Sequence, residues 1–337
     1  MPPSSLLERC DALNHVSSSP NLEELFELVA QLEAEGSEAD ARVARGYLEG
    51  MIPSVLPSDR SPISDEAPPL LFDCFMLFTE LDLLELRLTE LWDVVDSFVV
   101  VEATRTHAGA PKRLLFLDSR ERFSRFEEKI VYVAVDDLPR GTASYVEKYQ
   151  RNCILRGLTR ARDKDLIAVS DVDELPSVEV LRRLKQEADP RPRNLVQRLS
   201  FFRMNYVVNY PWVGTTVCTQ GALRAHFRGL PANLRRVSRA WGKVLEEVPD
   251  AGWHFSYLGS PEDIRYKIQS FSHQEYNDDQ LNSIENIRAK VESRRHLFEV
   301  WKDDPLRRIP VGELDESNMP RSVVANLAYY VEKGFIE

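Results

Sequence analysis

The chain has 337 residues, with 43 Lys+Arg against 54 Asp+Glu for a formal charge of −11, and 43% of its residues are apolar. That length and apolar content supply a sizeable core and exclude a fibrous or wholly disordered chain. The acidic balance argues against nucleic acid or an anionic membrane as partner, because phosphate contacts need a basic face. The acid is unevenly placed: residues 1–68 carry 13 acids against 4 bases, and residues 69–337 carry 41 against 39.

Cys10, Cys74, Cys153 and Cys218 are far apart with no CxxC pair, so neither a disulfide scaffold nor a zinc ribbon is expected. The N-terminus has no basic segment followed by an apolar stretch, and no 18-residue apolar run occurs. The expectation is a soluble, cytoplasmic protein with no membrane insertion.

In chain order, Leu22, Leu25, Val29 and Leu32 fall at helical spacing after Pro20-Asn21, with Asn21 and Glu24 placed as a cap and its partner. A second helix is expected after Gly36-Ser37, burying Val43, Ala44 and Tyr47 or Leu48. Residues 1–52 thus read as an acidic helical hairpin. Residues 53–69, with Pro53, Pro57, Pro62, Pro68 and Pro69, read as a Pro/Ser-rich linker, leaving 70–337 as the main domain.

From Leu70 the pattern changes to strand, helix, strand: Leu70 to Phe78, then Leu81, Leu84, Leu88 and Leu91, then Phe98 to Val101. A strand at Ile130 to Val135 leads to a helix expected over Ser144 to Arg162, with Ser144 and Glu147 as a capping box. The next apolar run is Leu166 to Val169. This alternation predicts an α/β fold with a mostly parallel sheet covered on both faces. Beyond it the pattern predicts a helix near Pro176 to Glu187, strands at Leu199 to Val208 and Val213 to Cys218, and a polar helix around Asp278 to Val300.

The run Ser170-Asp171-Val172-Asp173-Glu174-Leu175-Pro176 directly follows an apolar strand. Ligands gather outside the carboxyl ends of parallel strands, so carboxylates at i and i+2 there converge on the ligand crevice. Such oxygens hold Mg²⁺ or Mn²⁺, and the metal in turn neutralises a diphosphate. The plainer reading is a solvated turn capping the next helix. A rival chemistry, the aspartate-nucleophile phosphotransferase or phosphatase, also places Asp-x-Asp after a strand. It normally does so on the first strand with Thr or Val after the second Asp, whereas here the third or fourth strand carries it and Glu174 follows.

Asp73-Cys74-Phe75, Glu80 to Leu88, Val99 to Thr104, Gln150-Arg151-Asn152 and Ser170 to Pro176 together resemble glycosyltransferase family 17, the β-1,4-mannosyl-glycoprotein 4-β-N-acetylglucosaminyltransferase-like enzymes, from about Leu70 to Glu275. The resemblance implies a GT-A fold with an N-terminal appendage, a UDP-sugar donor, UDP-N-acetylglucosamine in particular, and Mn²⁺ or Mg²⁺ held by Asp171 and Asp173. Its animal members are Golgi-anchored and process N-glycans. With no anchor visible, the acceptor here is a glycan, a glycoprotein or a small molecule, and a non-catalytic sugar-nucleotide- or glycan-binding protein is the third reading.

The remaining candidates draw on residue chemistry together with what the resemblance implies, the late histidine of the metal shell included. Arg151 and Asn152 lie on the helix before the Asp-x-Asp strand, where a guanidinium suits diphosphate oxygens; the alternative pairs Arg151 with Glu147 one turn earlier. Glu102 and Arg105 are candidate nucleoside contacts, a structural ion pair being the alternative for Glu102, and the resemblance implies uridine contacts near Asp73. His254, with His273 as alternate, is a candidate third metal ligand, since neutral imidazole suits Mn²⁺. Asp250 or Glu275 is a candidate base that removes the acceptor hydroxyl proton in an inverting displacement.

Overall fold

Strand β1 (Leu71–Leu77) opens the described part of the chain and is buried on both faces, as a central parallel strand must be. The computed structural model describes residues 67–187, 189, 191–240, 245–298, 308–315 and 318–337; the expected hairpin and nearly all of the linker lie outside them. After β1 come helix α1 (Leu81–Leu91), β2 (Ser97–Ala103), β3 (Ile130–Val135), α2 (Ala143–Asn152), β4 (Leu166–Asp171) and the three-residue β5 (Glu174–Pro176). Then follow α3 (Val178–Glu187), β6 (Arg193–Phe201), β7 (Val207–Thr219), α4 (Gln220–Phe227), α5 (Pro231–Ala240), β8 (Glu246–Val248), β9 (Gly252–Ser256), α6 (Pro261–Ser270) and α7 (Ile284–Ser293).

The sheet runs β3-β2-β1-β4-β7-β6-β9-β5, with β8 beside β6. Strands β3, β2, β1 and β4 are mutually parallel, as the alternation predicts. The remainder is mixed: β7 runs antiparallel to β4 and to β6, and β5 antiparallel to β9. The predicted α/β fold is present as a mixed sheet with a parallel half.

Side chains alternate across a strand, so β1 sends Phe72 and Cys74 to one face and Leu71, Phe75 and Leu77 to the other. The first face packs under Val146, Cys153, Ile154 and Leu223, the second under Leu84, Leu88 and Leu91 of α1. A third cluster, built on Leu199, Phe201, Tyr257, Ile264, Ile268 and Ile287, supports the far end of the sheet.

Two helices differ from expectation. Thr142, in extended backbone, caps α2 by accepting from the Tyr145 amide, so the helix starts before Ser144, and it gives way to a 3₁₀ turn at Cys153–Gly157 rather than running to Arg162. The polar helix near the end is confined to Ile284–Ser293 by the Ser283 cap and by Arg294 in the left-handed region, φ 54°.

Candidate active site

Asp73 lies on the α1 side of β1, between Leu71 and Phe75, where no water can solvate it. Arg87 of α1 answers it with two bonds, Nε to Oδ2 at 2.7 Å and Nη2 to Oδ1 at 2.6 Å, both side chains being fully buried. The same guanidinium reaches past the strand to the Ser170 hydroxyl (2.6 Å) and the backbone oxygens of Asp171 (3.2 Å), Val172 (3.3 Å) and Glu174 (2.7 Å). A planar cation with five donors can do this, whereas lysine cannot. Arg87 therefore pins the Asp-x-Asp loop from beneath.

From the other side, Arg235 of α5 grips the buried Glu174 carboxylate at 2.8 and 2.7 Å. Glu174 also accepts from the Trp212 indole (2.9 Å) and the Asp171 amide (3.0 Å). With Glu174 satisfied this way, the two aspartates are the acids of the motif left to face the ligand space. Arg151 donates to Asp171 Oδ1 at 2.8 Å and to Glu147 at 2.6 Å, so both sequence readings of that arginine hold at once.

Asp171 and Asp173 line a cavity of about 390 Å³ at the carboxyl ends of β1, β2 and β4, where Met76 stands opposite Asp171 in the β1–β4 register. The cavity wall includes Ala103, Arg105, Thr106, His107 and Gln150, with His107 Nε2 at 3.0 Å from Gln150 Oε1. Burial pushes the His107 imidazole down, so it is neutral at pH 7. Phe201, Tyr210, Trp212, Tyr257, Tyr276 and Phe298 give the lining a large aromatic share.

Asp173 is nearly buried. Burial works against its charge, yet the Lys267 ammonium at 2.8 Å and His254, Nε2 at 3.5 Å from Oδ1, hold its carboxyl far below the usual range. His254 reaches this place because β9 pairs with β5 in the register Glu174↔His254. Its Nδ1 is buried with no hydrogen-bond partner among the described residues. Gly252 permits the pairing: a Cβ there would lie 2.2 Å from the Leu175 carbonyl oxygen, and its φ is 134°.

Of the candidates named from sequence, Asp171, Asp173, His254, His273 and Arg105 line this cavity. Asp73 does not; alternation along β1 turns it inward to Arg87. Glu102 is also interior, accepting from Lys112 (2.6 Å), the amides of Leu115 (2.7 Å) and Phe116 (3.1 Å) and the Tyr132 hydroxyl (2.9 Å), which is the structural alternative raised for it. Asn152 accepts from the Ala232 amide at the start of α5. Asp250 is exposed in a turn between β8 and β9, in the left-handed region, away from the cavity. Glu275 is exposed at the rim and bonds His273 Nδ1 at 2.8 Å.

Sequence reasoning passed over Arg87, Glu174 as an anchor, Arg235, Lys267 and Glu80. Arg87 had a signal: it stands at the core spacing of Leu83, Leu84, Leu88 and Leu91, and Asp73 interrupts an apolar strand. Lys267 gave none, and Glu80, though it opens a run that carries the family resemblance, gave no sign of this pairing, since contact across 187 residues of chain leaves no local pattern.

Residues 61–313 match the model of glycosyltransferase family 17. The chain is 27% identical over 245 residues to the human β-1,4-mannosyl-glycoprotein 4-β-N-acetylglucosaminyltransferase, covering 64% of this chain and 46% of that one. The Rattus norvegicus and Mus musculus proteins of the same name match at 27%, with 45% of each covered, so the chain spans less than half the length of these curated relatives. Among solved structures it is similar to the mannosyltransferase PcManGT from Pyrobaculum calidifontis in complex with GDP-Man and Mn²⁺, at 13% identity and a TM-score of 0.38, with 80% of this chain and 81% of that one covered. The chain belongs to glycosyltransferase family 17.

Proposed function

We propose that the cavity binds a UDP-sugar, UDP-N-acetylglucosamine in the first instance, and transfers the sugar with inversion to a hydroxyl of a glycan, glycoprotein or small molecule. The observation that carries this reading is the pair Asp171 and Asp173, opening from the end of a central strand into one cavity and held there by two buried guanidiniums. The names of the curated relatives support the choice of sugar. Family membership disfavours the phosphotransferase reading.

Among the described residues, no three or more His, Cys, Asp or Glu side chains already converge as a metal cage. The donor set nevertheless suits Mn²⁺ or Mg²⁺: Asp171 faces the cavity, and Asp173 stands beside His254, whose Nδ1 is an orphaned buried nitrogen. Asp171, Asp173 and His254 are the residues that would hold the ion. Once bound, the metal supplies positive charge that offsets the diphosphate as it departs.

The chain's own groups do the rest. Arg151 fixes the orientation of Asp171, and Glu174 with Arg235 keeps the loop from collapsing. Arg105, His107 and Gln150 form the wall assigned to the nucleoside, where neutral His107 offers hydrogen bonds without charge. The aromatic lining receives the acceptor, because sugar rings lie well on aromatic faces. His273 lines the cavity near Tyr276, ring centroids 6.2 Å apart, and is oriented through Nδ1 by Glu275, so the pair takes the acceptor proton at Nε2. Glu275 would thus act through the histidine rather than alone.

The test is release of UDP from a panel of UDP-sugars, with and without acceptor. Asp171→Asn, at a partly exposed position, is expected to lower turnover about a hundredfold or more with the melting temperature unchanged. Full turnover in EDTA would remove the metal, and hydrolysis of simple phosphate esters in place of sugar transfer would overturn the reading as a whole.

A further inference from the structure

Lys267 is a charged cavity group that the mechanism above leaves unused. It projects from α6 into the cavity, and its Nζ bonds Asp173 Oδ2 and Glu80 Oε1, each at 2.8 Å. The side chains of Asp173, Glu80 and Lys267 are 8%, 12% and 24% exposed, so water screens the three groups poorly. Glu80 is fixed in turn, accepting from the Thr79 amide through Oε2 at 2.9 Å. The helix that carries Lys267 starts on a full capping box between Ser260 and Asp263 and buries Ile264 and Ile268, which fixes the register of the lysine. An ammonium thus sits on the carboxylate assigned to the metal.

Two cations engaging one carboxylate repel each other, so an arriving divalent ion must weaken the bond from Lys267 to Asp173. Glu80 supplies an alternative at the same distance, and the ammonium stays paired without crossing the pocket. We propose that Lys267 is a resident cation that holds Asp173 in the empty site and shifts its pairing to Glu80 when a divalent ion engages that aspartate. Metal affinity is then set by how Asp173 and Glu80 divide the ammonium between them. The inference rests on the assignment of Asp173 as a metal ligand and adds to it a role for two residues outside the Asp-x-Asp motif.

The experiment measures Mn²⁺ binding to the full chain by the loss of the free-ion paramagnetic resonance signal, first with Mn²⁺ alone and then with UDP or GDP present. Lys267→Met is expected to tighten Mn²⁺ binding about tenfold or more, the size of effect one close charge produces. Glu80→Gln moves the affinity the other way, because the ammonium then rests on Asp173 alone. Lys267→Arg keeps the charge and stays near wild type. If Lys267→Met fails to fold, Glu80→Gln still carries the sign. Folded Lys267→Met with unchanged or weaker affinity, or Glu80→Gln with tighter affinity, overturns the proposal. If wild type binds Mn²⁺ with UDP and neither variant shifts it, this inference alone falls. If wild type binds no Mn²⁺ even with UDP or GDP, the metal assignment falls with it.

Discussion

Arg87 shows how a single side chain can organise a site it does not enter. Its guanidinium neutralises Asp73 and collects three backbone oxygens of the Asp-x-Asp loop, so the loop's carbonyls are satisfied from below while its carboxylates stay on the cavity side. Removing one partner of a buried ion pair strands the other, which costs about 3–5 kcal/mol. Arg87→Met is therefore expected to lower unfolding stability by that amount in urea titrations. Arg87→Lys should recover little of it, since one ammonium cannot reach all six acceptors. The pair was legible in the sequence as two matched oddities, an Asp in an apolar strand and an Arg at a core helical position. What could not be read was that they answer each other, because residues 14 apart meet here only through the packing of α1 on β1.

His296 gives a second prediction at the same scale. It is buried against Phe201, ring centroids 4.4 Å apart, and burial together with the Lys290 charge pushes its imidazole down to about 4. An unfolded histidine titrates near 6.5, so between about pH 4 and 6.5 the unfolded chain binds the extra proton and stability rises with pH. The contribution is complete above about pH 6.5, is lost as pH falls toward 4, and amounts to about 3 kcal/mol. Urea unfolding of wild type and His296→Gln at pH 4.5 and 7 checks this: the wild type should lose more stability than the variant on acidification, and equal losses would count against it.

At the scale of elements, the junction of β5 with β9 decides whether His254 belongs to the site. Periodicity does not announce a three-residue strand such as β5, and the carboxylates of the motif had seemed to lead straight into a helix. In the fold they lead into Glu174–Pro176, which pairs antiparallel with Gly252–His254 and so sets the imidazole beside Asp173. Gly252→Ala is expected to destabilise the protein by about 3 kcal/mol or more, since the new Cβ meets the Leu175 oxygen and the φ of 134° is strained for any side chain. Thermal unfolding measures the loss, and Mn²⁺ affinity should fall with it as His254 is displaced. The helices were more legible than this strand pair. Spacing located α1 and α3 closely, while both limits of α2 differ from the periodicity because the Thr142 cap sets its start and the 3₁₀ turn at Cys153 its end.

For the whole molecule, four parallel strands and five in mixed pairing share one sheet, and the cavity forms where the two halves meet. Nucleotide and metal that bind only the folded state stabilise it by mass action, about 2.7 kcal/mol at a hundred times Kd. UDP with Mn²⁺ at that excess should raise the melting temperature on the order of 5–10 °C for a fold of this size. Uridine in EDTA should give a far smaller shift. An equal response to both would place the binding energy outside the diphosphate and the metal. Among the described residues no helix is long and apolar enough to cross a membrane.

The sequence by itself determined the strand-helix alternation, the place of Asp171 and Asp173 at a strand end, and the family, because each is written in local order: apolar period, turn residues, spaced motifs. Tertiary structure alone decided which polar residues face the cavity. Asp73, Glu102 and Glu174 are as acidic in sequence as Asp171 and Asp173, yet strand alternation and long-range packing turn the first three toward buried partners and leave the last two at the cavity. The same packing brought Lys267 between Asp173 and Glu80, residues far from it along the chain. Burial and pairing are properties of the folded neighbourhood, so a residue's charge becomes structure or chemistry only after the chain has closed around it.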